Sequence, residues 1–157
     1  MAIDWLRARK PSNNSSTYRD NSSTAILGIA SEIVCRDHIL NCIKLLGIDA
    51  VVERMTEMSA QDNSKNGDLF ISCGNGFPLF SIEVKCSMKY RNASITESEL
   101  LYSKAKFLIG ITTAGMWVAT MNEVRRVASE IQTATGSFWL VPYDKVKKIR
   151  LIDIFGD

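Results

Sequence analysis

Asp68, Glu83 and Lys85 are the residues of this chain whose types and spacing suggest chemistry. Glu83 and Lys85 lie in the run Ser81-Ile82-Glu83-Val84-Lys85. Side chains alternate along a strand, so Ser81, Glu83 and Lys85 share one face while Phe80, Ile82 and Val84 form the apolar other face. The short link Gly74-Asn75-Gly76 predicts a hairpin between segments 68–73 and 78–86, which carries Asp68 toward Glu83. Two carboxylates and one ammonium on rigid strands are the set that a hard-cation phosphodiester site requires. Oxygen ligands hold Mg²⁺, the ion lowers the pKa of a bound water, and the lysine orients that water or neutralises developing charge. Glu-x-Lys by itself is also an ordinary cross-strand charge pattern on a solvated face. The weight therefore falls on its combination with Asp68.

The elements that must position these groups can be read around them. Residues 25–46 predict one long amphipathic helix with an apolar stripe of Ile26, Ile29, Ile33, Leu40 and Ile43. Ser23 or Thr24 suits its cap, and Gly47 its stop. Glu32 and Arg36, one turn apart, project close to that stripe. They fit either an ion pair at its edge or a carboxylate turned inward at a site. Ile48 to Arg54 predicts a first strand, and Ser64-Lys65-Asn66-Gly67 a turn before the second. Thr96-Glu97-Ser98-Glu99 has the form of a capping box opening a second helix. Residues 107–112 and 116–120 predict a strand pair about Ala114-Gly115. Residues 122–131 suit a helix, 137–141 a last strand, and 143–149 a last helical turn or two. Helices interleaved with strands predict an α/β class with a mixed central sheet flanked by helices.

Gly67-Asp68-Leu69-Phe70-Ile71 followed by Ile82-Glu83-Val84-Lys85 resembles the PD-(D/E)xK nuclease superfamily, with Gly67 where the family name has proline. The order of helix with Glu, strand, strand with Asp, strand with E-x-K, helix and strand also resembles its core, over about residues 25–120. Ile95-Thr96-Glu97-Ser98-Glu99-Leu100 resembles the T-x-x-E-L element of several restriction-like relatives. The resemblance implies a restriction-endonuclease-like core and a metal-dependent DNA endonuclease using Mg²⁺, with Mn²⁺ as a substitute. It implies Asp68 and Glu83 as metal ligands with the Val84 carbonyl as a third. It further implies Lys85 as the catalytic lysine and Glu32 as an accessory carboxylate. A Holliday-junction resolvase and a non-catalytic DNA-binding protein of the same fold are the alternatives, and a protein-interaction module is a third class.

DNA contacts are expected from the loop Met88-Lys89-Tyr90-Arg91-Asn92, through Lys89 and Arg91, and from Arg36 and Arg125. Trp117 and Trp139 are expected in the core or at a dimer surface, and the single histidine, His38, at the surface. Without a separate recognition domain, cutting both strands predicts a homodimer or a higher homo-oligomer. Composition narrows the classes: 157 residues, 46% hydrophobic, 23% charged and a net charge of +2 describe an ordinary globular domain. The polar, Ser- and Asn-rich stretch within residues 1–24 predicts a flexible arm before one domain spanning 25–157. No membrane segment or leader is evident. The four cysteines show no CxxC spacing, so they read as reduced core residues and the chain as cytoplasmic.

Overall fold

The computed structural model describes residues 23–54 and 67–156. The expected flexible arm, the Ser23 or Thr24 cap and the Ser64-Lys65-Asn66 turn lie outside the residues or side chains described. Helix α1 spans Ser23–Leu46. It stops at Gly47, which takes a φ of 67°. The Gly47 and Ile48 N–H groups return to the carbonyls of Lys44 and Ile43 at 3.2 and 3.3 Å. That pair of bonds is a Schellman stop, which favours glycine because of its positive φ.

Strands β1 (Ala50–Arg54), β2 (Leu69–Cys73) and β3 (Pro78–Cys86) follow, then β4 (Ala93–Ile95) and helix α2 (Glu97–Tyr102). Next come β5 (Phe107–Thr112), β6 (Gly115–Thr120), helix α3 (Met121–Val127), β7 (Ser129–Thr133), β8 (Gly136–Val141) and a 3₁₀ turn over Leu151–Phe155. The main sheet has five strands in the order β1-β2-β3-β5-β6. Its β1-β2-β3 part is an antiparallel meander, β5 runs parallel to β3, and β6 antiparallel to β5. A parallel pair needs a crossover, and β4 with α2 supplies it. A second sheet, β4-β8-β7, is antiparallel. The chain is therefore α/β, with a mixed sheet and helices on both faces.

Strand alternation divides the core. On one face α1 packs Cys35, Ile39 and Ile43 against Leu69, Ile71, Ile82, Val84 and Ile109. On the other, Leu108, Trp117 and Ala119 meet Ile95, Leu100, Met121, Val124 and Val141 from β4, α2, α3 and β8. Glu83 stands opposite Leu108 in the β3–β5 register and so belongs to this second face. Trp117 lies over Gly110, where an added Cβ would come within 2.5 Å of the indole. Trp139 is half-buried and His38 is exposed.

Three expectations need correction. The apolar stripe of α1 is only in part the face that packs: Ile26, Ile29 and Leu40 are exposed and Ile33 is half-buried, while Ile43 is buried on a line with Ser31, Cys35 and Ile39. The helix is apolar on nearly every side, so periodicity does not choose a face; the sheet does. The expected helix over 122–131 ends at Val127, because 129–133 pair with β8 from Ser129↔Leu140 to Thr133↔Gly136. Helix propensity is a weak prior that such pairing overrides. The expected one or two helical turns over 143–149 reduce to a single turn, in which the Val146 N–H reaches the Pro142 carbonyl at 3.0 Å, and no helix follows. The chain is drawn out there by Ile149, whose N–H reaches the Val118 carbonyl at 2.9 Å.

Candidate functional site

Gly67 and Asp68 enter β2 against the edge of β3. Gly67 has a φ of 90°, and a Cβ there would sit 2.9 Å from the Ile82 carbonyl oxygen. Both the backbone conformation and the close approach require glycine at this position. The Asp68 N–H then donates to the Ile82 carbonyl at 2.8 Å. Two residues along β3, the Val84 N–H donates to Asp68 Oδ2 at 2.7 Å. The Asp68 side chain thus takes the place of a strand partner, and the hairpin does set Asp68 beside the Glu83–Lys85 segment. The N–H and C=O of one strand residue point to the same neighbouring strand. The Val84 carbonyl accordingly faces Asp68's side.

Glu83 and Lys85 project from β3 onto the face that α2 covers, and both are buried. Ser103, the C-cap of α2, donates from Oγ to Glu83 Oε2 at 2.8 Å. Glu83 Oε1 is buried and has no hydrogen-bond partner; it lies 3.9 Å from Lys85 Nζ. The principal partner of Lys85 is Glu99, whose Oε2 accepts from Nζ at 2.6 Å. The other Glu99 oxygen accepts from the Thr96 N–H at 3.1 Å and the Thr96 hydroxyl at 3.0 Å, completing the capping box. Sequence reasoning placed Glu99 in that cap and missed its second bond. A cap residue two strand-lengths of chain from Lys85 gives no local signal for the pairing. Ser103 and Arg54 were missed as well.

Glu32 comes in from the α1 side. Its Oε1 accepts from Arg54 Nε, at the end of β1, at 3.1 Å. The i,i+4 pairing with Arg36 does not form; Arg36 lies instead 3.9 Å from Asp37, and both are substantially exposed. Burial, then the nearby Asp68 charge, push the Glu32 carboxyl up to about 7, with Arg54 and Lys85 opposing.

Burial also raises Asp68, with Lys85 and the Val84 N–H offsetting part of the rise. Glu83 is raised well above the usual carboxylate range by burial first and by Asp68 second. Burial acts upward on Glu99 too, but the charge and hydrogen bond of Lys85 outweigh it and hold Glu99 below its ordinary value. Burial disfavours the Lys85 ammonium, yet Glu99, Glu83 and Asp68 together raise it above the ordinary value. The site is one firmly charged cation among carboxylates, two of which resist ionisation side by side. Pushing neighbouring groups to opposite protonation tendencies in this way is a mark of functional clusters, and of structural ion networks too.

Among the described residues, no group of three His, Cys, Asp or Glu side chains is gathered for a metal ion. Mg²⁺ commonly takes only one or two carboxylates and keeps several waters. Asp68 and Glu83 meet that donor set, and the buried Glu83 Oε1 accepts no hydrogen bond, the Lys85 ammonium being 3.9 Å away.

The expected DNA contacts divide. Lys89 is exposed on the loop after β3. Arg91 bonds Asp144 at 2.9 Å and lies 4.9 Å over the Tyr143 ring. Arg125 donates from Nε to the Leu100 carbonyl at 2.8 Å and from an Nη to Ser103 at 2.9 Å, so it binds the end of α2. No protein-family model matches the chain, and no curated protein or solved structure matches it significantly. Among the described residues no helix is long and apolar enough to cross a membrane.

Proposed function

We propose that the chain is a Mg²⁺-dependent DNA endonuclease with a restriction-endonuclease-like core of the PD-(D/E)xK kind. The observation that carries this reading is the convergence of Asp68, Glu83 and Lys85 where β2 meets β3, with Glu83 Oε1 accepting no hydrogen bond. The meander β1-β2-β3, the α2 crossover and β5 parallel to β3 agree with the element order of that core. Asp68, Glu83 and the Val84 carbonyl would hold Mg²⁺, or Mn²⁺ in its place. The bound ion would supply Lewis acidity toward the phosphodiester and lower the pKa of a water.

The chain's own residues do the rest. Glu99 fixes the Lys85 ammonium by a 2.6 Å bond, so the lysine is held ready to orient the attacking water and to meet charge that develops on the phosphate. Ser103 fixes Glu83 from the side away from the free oxygen. Glu32, poised near neutrality, is an accessory carboxylate suited to taking up a proton. Lys89 and Arg91 track the DNA backbone. In-line attack leaves a 5′-phosphate and a 3′-hydroxyl.

The test incubates the purified chain with supercoiled plasmid, linear duplex and a four-way junction, each with Mg²⁺, Mn²⁺ or EDTA. Cleavage is expected only with a divalent ion, and is expected to disappear in Asp68→Asn. A selective cut of the junction would mark a resolvase. DNA binding without cleavage of any substrate under either ion would leave a non-catalytic binding protein and end the nuclease reading.

A further inference from the structure

Beyond β3 the backbone stays bonded to its neighbours while large side chains stand out from it. The Ser87 N–H donates to the Ile111 carbonyl at 2.9 Å and carries the β3–β5 ladder past Cys86. The Tyr90 N–H donates to Ser87 Oγ at 3.0 Å, and the Tyr90 carbonyl accepts from the Thr113 N–H at 3.2 Å. Both backbone groups of Tyr90 are fixed, yet the residue is 60% exposed and Met88 beside it 66%. Tyr90 is five residues past Lys85, so the two backbones stand within about 17 Å, or about five stacked base steps.

A second segment backs this loop. Asn92 Oδ1 accepts from the Tyr143 N–H at 2.8 Å, and Arg91 bonds Asp144 while lying over the Tyr143 ring. The same ring carries Lys148, whose Nζ is 4.0 Å from its centroid. That ammonium donates to the carbonyls of Tyr143 at 2.6 Å and Val146 at 3.3 Å, which leaves one of its three donors. Asp144 answers the charge of Arg91. No carboxylate among the described residues pairs with Lys148, which is exposed.

Charge and shape together select the occupant. An exposed ring and a held cation on one rigid base are the two parts of a single-strand site, where the ring stacks a base and the cation meets phosphate. Lys89, exposed beside Tyr90, extends the cationic track. An intact duplex keeps its base faces in its own stack, so the ring finds a partner only where bases are unpaired. We propose that Tyr90 and Lys148 form a platform for unpaired DNA nucleotides. The substrate is then DNA with a single-stranded part beside the cut, a conclusion that rests on the nuclease reading above.

Fluorescence anisotropy in EDTA tests the platform without the metal site. The full chain should bind labelled oligo-dT more tightly than a blunt duplex of equal length. Tyr90→Ala should weaken oligo-dT binding about tenfold and leave its salt dependence unchanged. Tyr90→Phe keeps the ring and should bind like the parent. Lys148→Gln should reduce the slope of log affinity against log salt by about 0.7, one phosphate contact on a single strand. Circular dichroism should be unchanged in all three, since both residues are exposed. The proposal is overturned by a parent that prefers duplex or oligo-rU, or by a Tyr90→Ala variant that binds like the parent. A Tyr90→Phe loss as large as that of Tyr90→Ala, or a Lys148→Gln slope equal to the parent's, also overturns it. Adding Mg²⁺ to a duplex with a single-stranded tail reads the nuclease separately. Tyr90-dependent binding without a cut would end the nuclease reading and still support the platform.

Discussion

Lys85 Nζ lies 2.6 Å from Glu99 Oε2, and both side chains are at least nine-tenths withdrawn from solvent. The pair joins a strand to a helix cap, because the other Glu99 oxygen is held by Thr96. The lysine's position therefore depends on the start of α2. Breaking a buried pair from one side leaves an uncompensated charge and costs about 3–5 kcal/mol. Glu99→Gln keeps the shape and part of the cap but removes the charge. It should lower stability in urea by roughly that amount, and cleavage should fall with the lysine no longer fixed. A loss below about 1 kcal/mol would match a solvated surface pair instead.

Asp68 and Glu83 behave differently, since both are raised by burial and Glu83 also by Asp68. A carboxyl whose folded pKa lies above its unfolded value stabilises the fold below the unfolded value. That stability is lost as pH rises toward the folded pKa. Glu83→Gln removes the repulsion along with the activity. At pH above neutrality the variant should melt no lower than the parent without metal, and should lose most of the rise in Tm that Mg²⁺ gives the parent. A variant that melts lower but keeps that rise would show that Glu83 is not a ligand.

The β2–β3 hairpin was legible because its information is local. Gly74-Asn75-Gly76 sets the turn, and Phe80, Ile82 and Val84 set the alternation that groups Glu83 with Lys85. The α2 cap was legible for the same reason. Asp68's bond to the Val84 N–H was not, because it depends on where β2 begins relative to β3, a matter of register across the hairpin. The partner of Lys85 was hidden because the Lys85–Glu99 contact spans the β4–α2 crossover. Glu32 feels the charges of Asp68 and Lys85, but its bonding partner comes from the end of β1 instead of the next helical turn. The stripe of α1 was right at Ile43 and misled at Ile26, Ile29 and Leu40, which are as apolar as the buried Ile39. Only the sheet distinguishes them.

Glu32 offers a pH-dependent reading of the site's electrostatics. Its carboxyl moves from an ordinary value of 4.5 to about 7, by burial and by Asp68. The folded chain therefore binds this proton more tightly than the unfolded chain. Its stabilising contribution is complete below about pH 4.5 and declines through about pH 7. Unfolding free energy measured across that interval should show a downward slope, which Glu32→Gln flattens. Activity should change less in Glu32→Gln than in Asp68→Asn, as expected for a group that acts from outside the ligand pair. An unchanged slope in Glu32→Gln would place the titration on another carboxyl.

Arg125 and Lys89 were both expected to touch DNA, and their surroundings predict opposite phenotypes. Arg125 spends two nitrogens on the carbonyls of Leu100 and Ser103, and Ser103 in turn holds Glu83. Hydrogen bonds from a charged donor contribute about 1.5–3 kcal/mol each. Arg125→Ala should therefore lower the melting temperature and slow cleavage through Ser103 and Glu83, with little change in how DNA binding depends on salt. Lys89 is exposed on its loop, so Lys89→Ala should leave stability within about 0.5 kcal/mol of the parent. It should reduce the slope of log affinity against log salt by about 0.9, the signature of one lost phosphate contact. Measuring both slopes and both melting curves on the same preparations separates the two roles. Should Arg125→Ala reduce the salt slope while its melting curve stays put, the arginine leaves the α2 carbonyls to bind phosphate, and its structural role is refuted.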